Sequence, residues 1–122
     1  MSDAKVRCII KRPDEEYGHV TNISTSLKNL QNIVEGYIEM VTLFDGLGGK
    51  KLVLICNEEG KLKNLPFNFI FRSAAGGVDA IVGDTIIIGA DGEELCDVPI
   101  TSARQFAFKT AIIICRLRMS ER

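Results

Sequence analysis

The sequence predicts an α+β domain with a mostly antiparallel sheet of five to seven short strands, one helix after the second strand and another helix at the C-terminus. Two observations favour this fold over a doubly wound parallel sheet. Turn signals recur at short intervals, and a helical pattern separates the first predicted hairpin from the later ones. The 122 residues are the length of one domain, and no repeat or linker divides them. We therefore expect residues 1–122 to form a single domain.

The first two predicted strands form a hairpin. Val6 to Ile10 is a β-prone run, and Pro13 ends it because proline cannot donate a hydrogen bond to a strand ladder. A polar turn follows at residues 14–18. His19 to Ile23 is the second strand, which we expect to pair back on the first.

The first helix is predicted to begin at the hydroxyl-rich segment 24–26, where a side-chain oxygen can accept a hydrogen bond from a free backbone N–H. Gly36 follows the last apolar residue of the helical pattern and is predicted to take the left-handed conformation that ends many helices. Apolar residues at helical spacing define one buried face, which consists of Leu27, Leu30, Ile33 and Val34.

Two strands are predicted in the middle of the chain. Tyr37 to Leu43 alternates, with its odd-numbered residues on one face of the sheet and its even-numbered residues on the other. A glycine-rich turn at residues 45–49 leads into the strongly apolar strand Leu52 to Cys56. Residues 57–60 have asparagine first and glycine fourth, as a type I turn favours, and residues 61–65 continue as a strand or a turn.

The later strands are short and β-branched. Residues 81–82 and Thr85 to Ile88 are typical of buried strands, and the Gly76-Gly77 pair before them indicates a loop. Asp91-Gly92 is a strong hairpin signal that leads into residues 95–98. The predicted core consists of Ile9, Leu27, Leu30, Val34, Ile38, Val53, Ile55, Ile86 and Ile88.

The C-terminal segment has two interpretations. Ser102 to Gln105 has capping-box spacing, which favours a helix over residues 103–119, whereas the β-branched run 112–114 favours a strand. In the helical interpretation two apolar seams face different directions, and a monomer of this size covers only one of them. We then expect a homodimer whose interface consists of Phe108, Ile112, Cys115 and Met119. In the strand interpretation no partner is needed.

Composition and charge exclude several classes of protein. The net charge of −1 gives no general attraction for nucleic acid or anionic lipid. Basic residues border the first strand and the central hairpin, but no aromatic residues are interleaved with them, so nucleic-acid binding is not favoured. No apolar run is long enough to cross a membrane. Four scattered cysteines and no secretory h-region indicate buried thiols in a cytoplasmic protein.

Catalytic and metal-binding motifs are not apparent. The single histidine, His19, lies in a predicted edge strand, and the cysteines are too scattered for a zinc site. A phosphate loop needs a glycine five residues before the glycine of its Gly-Lys pair and a hydroxyl residue after the lysine. The glycine-rich segment 45–50 meets neither requirement, because Phe44 and Lys51 occupy these two positions. We therefore predict no cofactor, no metal and no enzymatic activity. A small enzyme using Glu58 or Asp84 is the least favoured alternative.

Polar residues around the central strands are the best candidates for a ligand site. If Glu39, Asn57, Glu58 and Asn68 converge, their carboxylate and amide groups could hold a small polar ligand by hydrogen bonds. Turns also collect acidic residues because they are well solvated there, so Glu58-Glu59 and the acidic run 91–94 are interpreted first as serving solubility and turn geometry. The predicted ligand-binding set is Tyr37, Glu39, Asn57, Glu58, Asn68 and Asp84.

Several motifs occur in an order that resembles a family of short, uncharacterised bacterial and phage proteins, named only as a domain of unknown function. The resemblance covers about Leu27 to Thr101, and its most specific part is the Asn-Glu-Glu-Gly element at 57–60. The hairpin near Gly48 is longer than in the family, and the C-terminal segment is more apolar. The other motifs are Gly36-Tyr37-Ile38-Glu39, Leu65-Pro66 with Asn68, Ile81-Val82-Gly83-Asp84 and Ile88-Gly89.

The resemblance implies a genomic context rather than a chemistry, because proteins of this kind are similar to cargo of phages, plasmids and other mobile elements. We therefore expect a non-enzymatic binding or accessory protein that acts on a host protein or a defence system. The alternative is a sensor or sponge for a small polar ligand or a nucleotide, bound at the predicted ligand site.

Overall fold

The computed structural model describes residues 5–47, 49–72 and 78–99. These residues form eight strands and one helix, and all strand pairs are antiparallel. The elements are β1 (Lys5–Lys11), β2 (His19–Ser24), α1 (Leu27–Val34), β3 (Ile38–Leu47), β4 (Lys50–Asn57), β5 (Phe67–Arg72), β6 (Val78–Val82), β7 (Thr85–Asp91) and β8 (Glu94–Cys96). The α+β class with a mostly antiparallel sheet is confirmed, although the strand count is higher than predicted.

Six strands form the main sheet, in the order β2-β1-β7-β4-β3, and β8 is attached to β7. The first half of β7 pairs with β1 and its second half pairs with β8, while β4 lies along its other side. Strands β5 and β6 form a separate two-stranded ribbon. The central position of β7 explains why its apolar residues are an almost unbroken run, since a strand buried on both faces does not alternate.

The sheet has an apolar core on each face. On one side the helix packs over alternate residues of β1, β4 and β7, including Cys8, Ile55 and Ile86. On the other side the ribbon contributes Phe69 and Ile81. The ribbon-side core consists of Ile9, Leu43, Leu52, Leu54, Cys56, Phe69, Ile81, Ile87 and Val98. The domain is therefore three layers deep, with the main sheet in the middle.

Helix α1 begins as the sequence predicts. The Ser26 hydroxyl accepts a hydrogen bond from the backbone N–H of Asn29 at 3.2 Å, which pairs one of the free donors of the first turn. Leu30 and Val34, one helical turn apart, are buried, but Leu27 is 59% exposed, so its prediction as a core residue was wrong. Helical spacing identifies an inward face, but it does not show how far the sheet extends beneath the first turn.

The end of α1 differs from the prediction by one residue. Glu35, not Gly36, has the left-handed conformation, with φ of 63° and ψ of 40°. The absence of a side chain at Gly36 matters for another reason: a Cβ there would lie 2.6 Å from Nδ2 of Asn57. This close approach lets the Asn57 side chain reach the helix terminus.

Other differences concern the hairpins. Strands β3 and β4 extend to Leu47 and from Lys50, so the glycine-rich turn is tighter than predicted. Residues 61–64 form a turn, which is one of the two structures predicted for this segment. The β5–β6 ribbon was not predicted beyond residues 81–82.

The predicted C-terminal helix and its interface residues, Phe108, Ile112, Cys115 and Met119, lie outside the described residues. Helix α1, the helix found in the described ranges, is too short to cross a membrane.

Candidate functional site

A polar cleft lies where β3 begins, β4 ends and β6 approaches them. Its volume is about 190 Å³. Glu39 comes from β3, Glu58 and Lys61 come from the turn after β4, and Asp79 comes from β6. We call it the β3–β6 cleft, lined by Glu39, Val41, Cys56, Asn57, Glu58, Lys61, Leu62, Asp79, Ala80, Ile81 and Val82.

The charge of the β3–β6 cleft is negative. The Lys61 ammonium lies 2.6 Å from a carboxylate oxygen of Asp79, and this hydrogen bond raises the pKa of Lys61. Within the described ranges, the carboxylates of Glu39 and Glu58 have no hydrogen bond or ion pair. Three carboxylates and one ammonium leave two uncompensated negative charges, so the cleft favours a positively charged group.

Cys56 lies in the wall of this cleft and is buried. Burial raises the pKa of its thiol to about 11, and the negative charges of Glu39 and Asp79 add to the effect. A thiol with such a pKa is protonated at neutral pH and is a weak nucleophile. Cys56 therefore contributes a neutral, apolar surface to the cleft.

The side chain of Asn57 joins three parts of the backbone. Its Nδ2 donates hydrogen bonds to the carbonyl oxygens of Val34 and Glu35, at 3.0 and 3.2 Å. Its Oδ1 accepts a hydrogen bond from the backbone N–H of Glu59 at 2.8 Å. Asn57 thus ties the end of α1 to the turn after β4, and its donors are fully used inside the molecule.

Asn68 lies apart from the cleft, in a buried network. Its Nδ2 donates to the carbonyl oxygens of Lys11 and Gly83, at 2.9 and 2.8 Å, and its Oδ1 accepts from the Lys11 ammonium at 2.7 Å. The hydroxyl of Thr85 also donates to the Lys11 carbonyl, at 2.7 Å. We call this group, Lys11, Asn68 and Thr85, the Lys11 network. It connects the ribbon to the main sheet.

The buried lysine of this network was not predicted. Lys11 is 7% exposed; its ammonium donates to the Glu15 carbonyl at 2.8 Å and lies 5.7 Å from the centre of the Phe69 ring. Burial lowers the pKa of Lys11, against the opposing effect of Glu15 and Asp14. Strand alternation could have indicated its burial, because Lys11 shares a face with the core residue Ile9.

The remaining predicted residues lie in two shallow grooves near the β3–β6 cleft. Tyr37 is 64% exposed and lines a groove with Glu35 and Lys63. Asp84 lies 3.5 Å from the Arg12 guanidinium. It lines a second groove of about 380 Å³, which we call the helix-end groove. The lining of this groove consists of Pro13, Asp14, Val34, Glu35, Leu65, Pro66, Gly83 and Asp84. The structure thus brings Glu39, Asn57 and Glu58 together, and it places Tyr37, Asn68 and Asp84 elsewhere.

No group of three histidine, cysteine, aspartate or glutamate side chains among the described residues is placed to hold a metal ion. His19 Nδ1 lies 2.9 Å from a Glu15 carboxylate oxygen. Several of the basic residues that border the strands face acidic side chains, in the pairs Arg7–Asp97, Arg12–Asp84, Lys61–Asp79 and Lys63–Glu59.

Comparisons with known proteins identify a family. A protein-family model described as a domain of unknown function (DUF3846) matches residues 6–109. Searches of curated proteins and of solved structures find no match. The family match confirms the resemblance to an uncharacterised domain family and extends it in both directions beyond residues 27–101. Because it spans most of the sequence, the chain belongs to the DUF3846 family of domains of unknown function.

Proposed function

We propose that this protein acts by binding rather than by catalysis, and that the β3–β6 cleft receives a positively charged group of its partner. The observation that carries the proposal is the charge of the cleft. Glu39 and Glu58 project carboxylates that no described side chain neutralises, beside an Asp79 carboxylate already paired with Lys61. A site with excess negative charge attracts cations and repels anions.

The interior chemistry supports binding over catalysis. Asn57, Asn68 and Lys11 use their polar atoms to hold backbone segments together. Burial also raises the pKa of Cys8 to about 11, as it does for Cys56. These buried groups stabilise the fold and are not available as a catalytic base or nucleophile, which needs a free polar atom facing its substrate.

The partner we propose is a host protein that presents an arginine or lysine side chain. The cleft of about 190 Å³ is smaller than the roughly 300–1,000 Å³ of sites that enclose a drug-sized ligand, and it suits the end of one side chain. Leu62, at the rim of the cleft, is 84% exposed and offers apolar contact area beside the charges. The resemblance to proteins of phages and mobile elements supports a partner of the host cell or its defence systems.

A second candidate is a sensor or sponge for a small polar ligand. The size of the cleft supports a small amine as readily as a side chain. Its negative charge disfavours a nucleotide, because the phosphates would lie beside Glu39 and Glu58. The two candidates differ in whether a free small amine binds as well as a peptide.

NMR titration of the labelled protein tests the proposal with three probes: N-acetyl-arginine amide, a free small amine such as putrescine, and adenosine monophosphate. We expect the arginine derivative to shift backbone signals around residues 39, 56–58 and 79. The variant Glu39→Gln/Glu58→Gln should lose these shifts. The matched control Glu93→Gln/Glu94→Gln removes two exposed carboxylates, one in the turn between β7 and β8 and one at the first residue of β8, and should retain the shifts.

Three results would contradict the proposal in different ways. Shifts scattered over the surface with every probe would show that the cleft does not bind. Stronger binding of adenosine monophosphate than of the arginine derivative would show that the cleft prefers an anionic ligand. Stronger binding of putrescine than of the arginine derivative would favour the sensor or sponge over the protein-binding role.

A further inference from the structure

The helix-end groove has a chemistry distinct from that of the β3–β6 cleft. Its walls include the apolar side chains of Val34, Leu65 and Pro66, and its lining also contains the carboxylates of Asp14, Glu35 and Asp84. With a volume of about 380 Å³, it can receive a side chain along its length. An apolar wall beside carboxylates is the environment that a lysine or arginine side chain fits, with its aliphatic stem buried and its charge at the edge.

Two carboxylates of the helix-end groove make no direct ion pair. Asp84 is paired with Arg12 at 3.5 Å, whereas Asp14 and Glu35 have no ion pair or side-chain hydrogen bond among the residues that the structure describes. The same distribution occurs in the β3–β6 cleft, where Asp79 is paired and two carboxylates are not. Charge complementarity therefore points to a cationic occupant in both places.

The two sites are neighbours. Val82 lines the β3–β6 cleft and the next residue, Gly83, lines the helix-end groove. The turn after β4 also contributes to both, through Leu62 in the cleft and Leu65 in the groove. One extended segment of a partner protein can contact both sites by passing over this turn.

We propose that the helix-end groove binds a second basic side chain of the same partner segment, so that the partner is recognised through two lysine or arginine residues. This inference rests on the proposed function of the β3–β6 cleft and adds the second contact. The first basic side chain binds between Glu39 and Glu58. The second lays its stem on Val34 and Leu65 and brings its charge to Asp14 and Glu35.

Fluorescence anisotropy with synthetic peptides tests the two-site interface. The probes are a labelled peptide with one arginine and a series with two arginines separated by glycine spacers of increasing length. At the best spacing we expect the two-arginine peptide to bind roughly fivefold more tightly than the one-arginine peptide, which corresponds to the upper end, about 1 kcal/mol, of what an exposed ion pair contributes. Higher salt should reduce this gain because it screens the exposed charges.

Two charge-removing variants separate this inference from the proposed function. Asp14→Asn/Glu35→Gln should abolish the gain from the second arginine and leave binding of the one-arginine peptide unchanged. Glu39→Gln/Glu58→Gln should weaken both peptides. The control Glu93→Gln/Glu94→Gln, which removes the same number of charges from the opposite end of β7, should retain wild-type binding of both.

The inference is overturned if no spacing gives a gain over the one-arginine peptide, or if Asp14→Asn/Glu35→Gln changes the gain no more than the control does. Either result leaves the β3–β6 cleft intact as a single-side-chain site. If Glu39→Gln/Glu58→Gln does not weaken binding of the one-arginine peptide, the proposed function itself is contradicted.

A peptide of residues 110–122, the basic and apolar segment beyond the family match, serves as a competitor. If it displaces the probe more effectively than the best two-arginine peptide, the occupant is a copy of this chain and not a foreign partner.

Discussion

The β3–β6 cleft and the helix-end groove together form an acidic surface, which lies at the same end of the sheet as the Lys11 network. The two regions differ in whether their polar groups are paired within the protein. In the network the Lys11 ammonium donates to the Asn68 amide oxygen, and the Asn68 amide nitrogen and the Thr85 hydroxyl donate to nearby backbone carbonyls. On the surface, carboxylates remain unpaired beside others that are paired. Buried polar groups must be satisfied for the fold to be stable, whereas solvated carboxylates can remain free for a partner.

The largest expected effect comes from breaking the network. Asn68→Ala removes three hydrogen bonds and leaves the Lys11 ammonium with one fewer acceptor in a buried position. We expect the free energy of unfolding to fall by about 3 kcal/mol or more, because each unsatisfied buried group costs about 1–3 kcal/mol. Urea denaturation measures the change. Asn22→Ala, at an exposed site on β2, is the control and should change stability by less than about 0.5 kcal/mol; equal losses in the two variants would contradict the role of the network.

Neighbouring residues at the end of β4 give a second comparison. Asn57→Ala removes the donors to Val34 and Glu35 and the acceptor for the Glu59 N–H, so we expect a loss of about 2–3 kcal/mol in unfolding free energy. Glu58→Ala, one residue along, should leave stability within about 0.5 kcal/mol and weaken binding of the arginine probe. If Glu58→Ala destabilises the fold as much as Asn57→Ala, the distinction between buried and free polar groups fails here.

The sequence predicted much of the fold because local signals and tertiary packing agree there. The Ser26 cap, the Asn57 turn, the Asp91-Gly92 hairpin and the pairing of β1 with β2 all follow from short-range rules of turn and strand chemistry. The core prediction succeeded for the β-branched strands and failed at Leu27. Whether the first turn of a helix is covered depends on the extent of the sheet below it, which periodicity does not encode.

The candidate site was less predictable than the fold, because the same polar residue types stabilise the backbone in one place and line a solvent-exposed site in another. Asn57, Asn68, Glu39 and Glu58 were grouped by polarity, yet the two asparagines hold the backbone and the two glutamates face solvent. Only the hydrogen-bond partners seen in the structure distinguish the two asparagines from the two glutamates. Similarly, Lys11 resembled its solvated basic neighbours in the sequence. Its burial depends on the ribbon, a long-range contact supplied by residues 67–69.

The pH dependence of stability tests the buried thiols of Cys8 and Cys56. Burial raises the folded-state pKa of Cys8 and Cys56 to about 11, so the unfolded chain loses these protons at lower pH than the folded protein does. Above the unfolded pKa the unfolded state binds fewer protons, and stability therefore falls as pH rises towards about 11. We expect a loss on the order of 1–2 kcal/mol per thiol across this window.

Urea titrations at pH 8 and at pH 10.5 measure this loss in the wild type and in Cys8→Ala/Cys56→Ala. The lowered pKa of Lys11 acts in the opposite direction, because its protonated form is disfavoured in the fold, and both proteins retain it. The double variant should therefore show a clearly smaller loss of stability on raising the pH. An equal loss in the two proteins would contradict the contribution of the thiols.

The smallest expected effect concerns Glu35, where stability and binding should change in opposite directions. Glu35 has a left-handed backbone conformation, which costs a residue with a side chain about 1–2 kcal/mol. Glycine avoids this cost but gives the unfolded chain more entropy. We therefore expect Glu35→Gly to raise the free energy of unfolding by about 0.5 kcal/mol. The same change removes a carboxylate from the helix-end groove and should reduce the gain from the second arginine. Glu35→Gln should reduce that gain without stabilising the fold. Asn64 is the other non-glycine residue with a left-handed backbone in the described part of the chain. Asn64→Gly should leave binding unchanged, with little gain in stability, because asparagine tolerates this conformation. If Glu35→Gly stabilises the protein and binds the two-arginine peptide like the wild type, the carboxylate has no part in recognition and the helix-end groove is not a second contact.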